Sequence, residues 1–553
     1  MKNNKLKVLM CSEASFLSSG FGTYAKEILS RLYKTNKFHI AEFASYAHVN
    51  DSRDKDINWR FYANAVREND PRFNEYSSRQ DNQFGRWRFE KVLLDFRPDV
   101  VIDVRDYWMS HYQSLSPLRR FFHWILMPTV DSAPQQDEWI DTFIGADAIF
   151  TYSDWGADVL KNQSRGKINY IDTASPGVDL SIFKVLDKNI IKKNLGIPPE
   201  SIIIGSVMRN QKRKLIPELL FAFRNLIDKL SQENAETAKN LYLYLHTSYP
   251  DAGWDIPELL RDTKLCNKVL FTYFCGRCHQ VETTTYNHPT RICKNCLENS
   301  CRLPSVAIGV PNEILANIYN TFDIYVQYAI CEGFGMPQVE AAACGVPVAT
   351  VNYSAMVDII NKLNAYKVDI KNRFKELETK AIRVYPDNDS LIKNILSFIN
   401  LPEPMRLQKR IETRSLVEKH YNWDHIAKKW ENYLDKLDDS GYRADWDQEP
   451  QILNDFDVPK DHTLNMLNLA SICGSNLMDY EKIGSMMMLN LCKDIAYGFS
   501  QSGTSYQNFS SDMGVDMIKT IIRNHNQAEL ARIKKISFDE DFIAYAKMKD
   551  TQK

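Results

Sequence analysis

Glu332-Gly333-Phe334-Gly335-Met336-Pro337-Gln338-Val339-Glu340, followed by Ala341-Ala342-Ala343-Cys344-Gly345-Val346-Pro347-Val348-Ala349-Thr350, is the stretch on which the reading of this chain turns. It lies between two apolar runs, Ile324-Tyr325-Val326 and Val346-Pro347-Val348-Ala349. It therefore spells strand, tight glycine turn, small-residue helix, strand. Pro337 suits the first helical turn, where its missing N–H would have no partner anyway. Glycines let the backbone come close to a ligand, and the free amides of a helix start attract an anion such as a pyrophosphate. Glu332 and Glu340 bracket this turn eight positions apart. Carboxylates beside a phosphate cradle are suited to accept ligand hydroxyls and not the phosphate itself.

Outward from this turn the strand-and-helix alternation runs in both directions. Upstream, Ile202-Ile203-Ile204, Leu241 to Leu245 and Val269-Leu270-Phe271 read as strands, and Pro217 opens a helix with Leu219, Leu220, Phe223, Leu226 and Ile227 on one face. Further upstream an earlier series of the same kind holds Val8 to Cys11, Val100-Val101-Ile102 and Ala148-Ile149-Phe150. Ala25, Ile28, Leu29 and Leu32 follow the first of these at helical spacing. Continuous apolar runs suit parallel strands covered on both faces. The reading is α/β, with two doubly wound Rossmann-like domains, residues 1–185 and 186–420. An insert at 271–303, a helix over 421–437, an Asp-rich linker at 438–461 and a helical extension at 462–553 complete it.

Two cations fall where the second domain's first strand ends. Gly205-Ser206-Val207-Met208-Arg209 is followed by Asn210-Gln211-Lys212-Arg213-Lys214, so Arg209 and Lys214 stand five apart. With the Glu332–Glu340 turn, Ser175-Pro176-Gly177-Val178-Asp179 and Asn422-Trp423 through Trp430, the chain resembles retaining glycosyltransferases of GT-B architecture. The particular resemblance is to glycosyltransferase family 4 (glycosyl transferases group 1), over roughly residues 5–437. It implies two domains facing a cleft and a nucleotide-sugar donor, with transfer that retains anomeric configuration. It also implies Glu332 beside the sugar and Glu340 at the ribose. Main-chain amides of Phe334, Gly335 and Met336 would grip sugar hydroxyls and phosphate, with Arg209 and Lys214 on the pyrophosphate. Such charge stabilises the departing nucleoside diphosphate. No Asp-x-Asp metal motif stands in a matching place, so no catalytic divalent cation is expected.

Ser18-Ser19-Gly20-Phe21-Gly22-Thr23 resembles the family's glycine loop facing the donor, which makes Gly20 and Gly22 donor-side candidates. Gly20-x-Gly22-x-x-Ala25 also fits a dinucleotide fingerprint with Glu42 about twenty residues on, but eight residues separate the strand from Gly20. Where many relatives carry a histidine, this chain has Met127-Pro128-Thr129-Val130-Asp131-Ser132-Ala133-Pro134. Asp131 occupies that loop, either as a catalytic carboxylate or as a helix cap. His111 and His123 stand nearby.

The insert carries Cys275-x-x-Cys278 and Cys293-x-x-Cys296, four of the chain's eleven cysteines. Four thiolates at this spacing close a tetrahedral, structural Zn²⁺ site, a zinc ribbon, with His279 and His288 as spare ligands. Arg277, His279, Arg291 and Lys294 make the insert basic, so a nucleic-acid acceptor stands beside glycan, lipid-linked and protein acceptors. Composition is that of a globular protein: 553 residues, 44% hydrophobic, 25% charged, net charge −1. That charge argues against a protein coated for nucleic acid but leaves a local basic groove open. No apolar run reaches bilayer length and no secretory leader is recognised, so a cytoplasmic, non-membrane enzyme is expected. The basic-then-apolar stretch Leu118 to Met127 reads as a helix end feeding a buried strand. The other reading of the whole is a non-catalytic GT-B scaffold that binds a partner through the ribbon and the helical tail.

Overall fold

The structure is a computed structural model that describes residues 5–305, 309–437, 446–447, 527, 531–536 and 539–551. Most of the Asp-rich linker and of the helical extension, including Met486 to Met488, lies outside the described residues, as do Val306, Ala307 and Ile308.

The first sheet has seven strands: β1 Leu6–Glu13, β2 Phe38–His48, β3 Arg60–Ala65, β4 Val100–Asp103, β5 His123–Leu126, β6 Ala148–Thr151 and β7 Tyr170–Thr173. They run in the order β3-β2-β1-β4-β5-β6-β7, every neighbour parallel. Order reverses between β1 and β4, which opens a ligand crevice at the carboxyl ends of those strands. Val100, Val101 and Ile102 are fully buried, as strands covered on both faces require. Ala25, Ile28, Leu29 and Leu32 form the buried face of the helix Gly20–Lys34. Leu118 and Phe121 are buried in a short turn that leads into β5.

The second sheet is built on β8 Ile202–Val207, β9 Leu241–His246, β10 Val269–Cys275, β14 Ile324–Gln327, β15 Val348–Val351 and β16 Tyr366–Val368. Between β10 and β14 the insert adds β11 Val281–Thr285, β12 Thr290–Arg291 and β13 Cys301–Arg302. The order is β12-β13-β10-β9-β8-β14-β15-β16, with β11 also on β10. The insert therefore extends the sheet antiparallel from its outer edge. It stands two strands out from β8, at the end of the sheet where β10 finishes. Strands β17 Ile370–Lys375 and β18 Ile382–Pro386 form a separate hairpin.

The chain returns to the first sheet through the helix Trp423–Leu434. Trp430 stacks on Phe150 at 4.1 Å and donates its indole N–H to Tyr24 Oη at 2.8 Å. A Cβ at Gly177 would lie 2.7 Å from the Trp423 nitrogen, so this crossing tolerates no side chain there. The last helix, Glu540–Thr551, packs on edge strand β3: Phe542 lies 5.5 Å from Tyr62, and Arg72 and Lys549 pair with Asp541 and Asp54. An otherwise open sheet edge is thus covered. Among the described residues, no helix is long and apolar enough to cross a membrane.

Candidate active site

The turn after β14 places Glu332 at the carboxyl end of the second sheet. Gly335, the residue before the helix Met336–Ala343, has φ of +85°, a conformation that favours glycine. A Cβ on Gly333 would lie 2.3 Å from Thr129 Cγ2, so the turn presses against the first domain's Met127–Pro134 loop. The buried Glu332 carboxylate is gripped by Lys214 Nζ, by Arg213 Nη1 at 3.2 Å and by Gln327 Nε2 at 2.6 Å. Burial alone would raise its pKa, but Lys214 and Arg213 outweigh that and hold it below the usual carboxylate range.

Lys214 and Arg213 share a single 3₁₀ turn, Lys212–Lys214, after β8. The five-residue spacing singles out Arg209 and Lys214. In the structure Arg209 is bound bidentately by Asp251 at 2.9 and 3.0 Å, and Arg213 is the cation that joins Lys214 at Glu332. Nothing in the sequence distinguishes Arg213 except its place beside Lys214. Glu340 sits on the helix Met336–Ala343, where Tyr319 Oη donates to it at 2.8 Å. Burial without a cation beside it pushes this carboxyl up to about 7. Phe334 is buried edge-on against Tyr421, so its contribution at the turn is its main chain.

Across the cleft, a Cβ on Gly20 would stand 3.9 Å from Met336 Sδ, which brings the glycine loop to the start of that helix. Gly22 answers to packing: a Cβ there would lie 2.7 Å from the carbonyl oxygens of Ala14 and Leu17. Ser19 Oγ caps the helix by accepting from Gly22 N at 3.1 Å. Glu42, the acid of the dinucleotide fingerprint, accepts from Ser15 N, Ser15 Oγ and Trp59 Nε1, each at 2.8 Å. Its carboxylate is spent on holding the β1 loop.

Asp131 lies in the cleft and is engaged there. Arg383 Nη1 reaches it at 3.0 Å, Ser132 Oγ donates to it at 2.8 Å and Cys331 Sγ stands 3.3 Å away. Arg383 also binds Glu376, so Asp131 joins the first domain to the β17–β18 hairpin. His123 Nε2 lies 2.9 Å from Tyr433 Oη under the crossover helix, away from these groups. The sequence reading passed over Asp106, which precedes the short helix Tyr107–Ser110. Burial, aided by the charges of Asp131 and Glu13 and opposed by Arg213, pushes its carboxyl up to about 6. Its signal was positional: a polar residue just past the carboxyl end of β4, where open α/β sheets present ligand groups.

The sulfur atoms of Cys275, Cys278, Cys293 and Cys296 all lie within 4.8 Å of one another. Cys275 and Cys296 are 3.6 Å apart and Cys278 and Cys293 3.5 Å. A tetrahedral zinc with Zn–S bonds of about 2.3 Å asks for roughly 3.8 Å between sulfurs, so the cage fits with little adjustment. The amides of Cys278 and Asn295 point at the sulfurs of Cys275 and Cys293, each at 3.4 Å. His288 turns its ring nitrogen to Thr290, and His279 packs on Phe274. Three basic side chains of the insert are paired: Arg277 with Glu298, while Arg291 and Lys294 share the single Glu282 carboxylate.

Two open α/β sheets facing a cleft, joined by a helix that crosses back to the first, define the GT-B architecture of glycosyltransferases. Residues 305–413 match the family of glycosyl transferases group 1. A D-inositol 3-phosphate glycosyltransferase of Stackebrandtia nassauensis is 24% identical over 203 residues, 37% of this chain and 38% of that protein. The chain spans between 34% and 44% of the length of the curated relatives it matches. Among solved structures, sucrose-phosphate synthase of Thermosynechococcus elongatus superposes with a TM-score of 0.56 at 15% identity, covering 78% of this chain and 99% of that one. A glycosyltransferase of Rickettsia africae gives 0.52 at 13% identity, covering 79% and 100%.

Proposed function

We propose that this protein is a retaining glycosyltransferase that moves a sugar from a nucleotide-sugar donor to an acceptor hydroxyl. The observation that carries this reading is Glu332, buried and ionised between Lys214 and Arg213 at the mouth of the Gly333–Met336 turn. In this reading Lys214, Arg213 and the amides of Phe334, Gly335 and Met336 hold the diphosphate, with Arg209 at the outer rim. Glu332 takes a sugar hydroxyl, Glu340 takes the ribose, and Gly20 leaves room above the donor. The bond from the anomeric carbon to the diphosphate oxygen breaks as the acceptor oxygen bonds to the same face. The acceptor's proton leaves on the departing phosphate oxygen. Cations fixed beside the leaving group do most of the work, because they need no reorganisation as charge develops. Asp131, tied to Arg383, sets the closure of the two domains, and Asp106 orients the acceptor hydroxyl. Cys275, Cys278, Cys293 and Cys296 hold a structural Zn²⁺ remote from the reaction, and no catalytic divalent cation is used.

A panel of nucleotide sugars, scored by release of nucleoside diphosphate and by the anomeric NMR signal of the product, tests this. Release from at least one donor, an unchanged anomeric configuration and full activity in EDTA are expected. An inverted product, or EDTA inhibition rescued by Mg²⁺ or Mn²⁺, overturns it.

A further inference from the structure

The first domain holds a cavity of about 370 Å³ lined by Arg79, Gln80, Asp81, Phe84, Trp108 and His111. Trp108 is 46% exposed, the one aromatic side chain so exposed among the described residues of the first domain. Its ring is held in place: it meets Trp139 at 6.3 Å, Trp139 stacks on Tyr107 at 5.2 Å, and Tyr107 stacks on His111 at 5.4 Å. The two walls are pinned together beneath it. Arg105, itself fully buried and paired with Asp103, donates to the Phe84 carbonyl at 2.5 Å, and Tyr112 Oη donates to the same oxygen at 3.0 Å. The cavity is thus preformed, with a rigid indole face on one side and polar groups on the other.

Its position ties it to the cleft. Trp108 is two residues after Asp106, so their Cα atoms are no more than about 7 Å apart. Asp106 in turn feels the charge of Arg213, which binds Glu332. Its polar rim and the indole beside it select the ligand. Asp81 is bound by Arg79 at 3.0 and 3.1 Å and by Arg86 at 2.9 Å, so one carboxylate stands between two guanidinium groups and fixes both. Asp81, Arg79 and Gln80 together line the wall with both donors and acceptors, which is what the hydroxyl groups of a sugar ring require. The insert, the other place where a nucleic acid would find positive charge, spends three of its basic side chains on Glu282 and Glu298.

We propose that this cavity is the acceptor subsite and that its ligand is a neutral sugar ring stacked on Trp108, which directs a hydroxyl to Asp106. The proposal rests on the glycosyl-transfer reading above and narrows its acceptor to a glycan. The aromatic face covers the ring's C–H surface while the polar rim takes its hydroxyls.

The test uses the full-length protein and saturation-transfer NMR with the methyl glycosides of glucose, galactose, mannose and N-acetylglucosamine. Single- and double-stranded oligonucleotides form the comparison arm. At least one glycoside is expected to bind wild type. Trp108→Ala should weaken it at least tenfold, while Trp108→Phe should recover most of the loss. An unchanged thermal melt and unchanged nucleoside-diphosphate binding by calorimetry report that each variant is folded. Equal glycoside binding by Trp108→Ala, no binding of any glycoside to wild type, or oligonucleotide binding lost in Trp108→Ala would each overturn the proposal. Absence of nucleoside-diphosphate binding in wild type would instead count against the glycosyl-transfer reading, whatever the glycosides do.

Discussion

The two faces of the cleft are built in opposite ways. On the second sheet, charges are paired across short loops before any ligand arrives: Glu332 with Lys214 and Arg213, and Arg209 with Asp251. On the first sheet, Asp106 keeps a raised pKa beside two other carboxylates, and Trp108 faces outward from an otherwise closed aromatic cluster. A buried carboxylate with two cations is ready for a charged ligand. A raised carboxyl beside an exposed indole suits a neutral, hydroxyl-bearing one. On the proposed function, the contrast implies that donor and acceptor recognition are separable, and variants on either face can strain that separation.

The largest effect belongs to the second sheet. Glu332→Gln and Lys214→Ala should each lower turnover about 100-fold with the thermal melt preserved, since each removes charge placed where charge develops. Near-normal turnover on the best donor in both variants would dissolve the assignment of this face.

Next comes Asp106→Asn, for which a loss of about 30-fold in transfer is expected with nucleoside-diphosphate affinity intact. Wild-type transfer should fall as pH drops through about 6, because the raised carboxyl becomes protonated there. The Asn variant should lose that limb of the profile. An unchanged profile would show that the two faces do not divide as described.

Glu340 gives a smaller, pH-dependent effect. In the free protein its carboxyl is raised to about 7, so the neutral form is the stabilised one and ionisation on raising the pH through 7 costs stability. A ribose hydroxyl donates to the ionised form, so nucleotide affinity should tighten about tenfold between pH 6 and pH 8, beyond what Glu340→Gln shows. Parallel calorimetry of the two proteins across that range measures the difference. Identical slopes would mean that Glu340 does not meet the nucleotide.

The insert should matter least to chemistry. Elemental analysis should find about one Zn²⁺ per chain. Cys293→Ser with Cys296→Ser should unfold the insert locally, because a segment with few apolar residues draws its folding energy from the metal. Donor hydrolysis should change by less than about twofold and transfer by no more than severalfold, since the cage stands two strands out from β8. A collapse of donor hydrolysis would show that the outer edge of the second sheet braces the donor face.

What could be read from the sequence follows this division. The Glu332–Glu340 turn, Lys214 and the four cysteines are legible because their geometry is local: a glycine turn, a strand end, two knuckle turns. Arg213 was missed because choosing between adjacent cations depends on which side chain the turn directs at Glu332. Asp106 and Trp108 lie well downstream of the loop at Arg79 to Phe84, and Arg105 and Tyr112 are what pin the two segments together. The positive charge of the insert is visible in the sequence, while the pairing of Arg277 with Glu298 and of Arg291 and Lys294 with Glu282 depends on the folded insert.

By itself, then, the sequence determined two parallel α/β sheets, the turn between Glu332 and Glu340 and the four-cysteine cage. Apolar periodicity, glycine turns and thiol spacing act within a few residues and survive in one dimension. Tertiary structure alone decided that Asp131 would clasp Arg383, that Glu42 would lock the β1 loop, and that the last helix would close the edge at β3. Those outcomes follow from which charged and apolar groups folding brings within contact distance, and sequence separation says nothing about that distance.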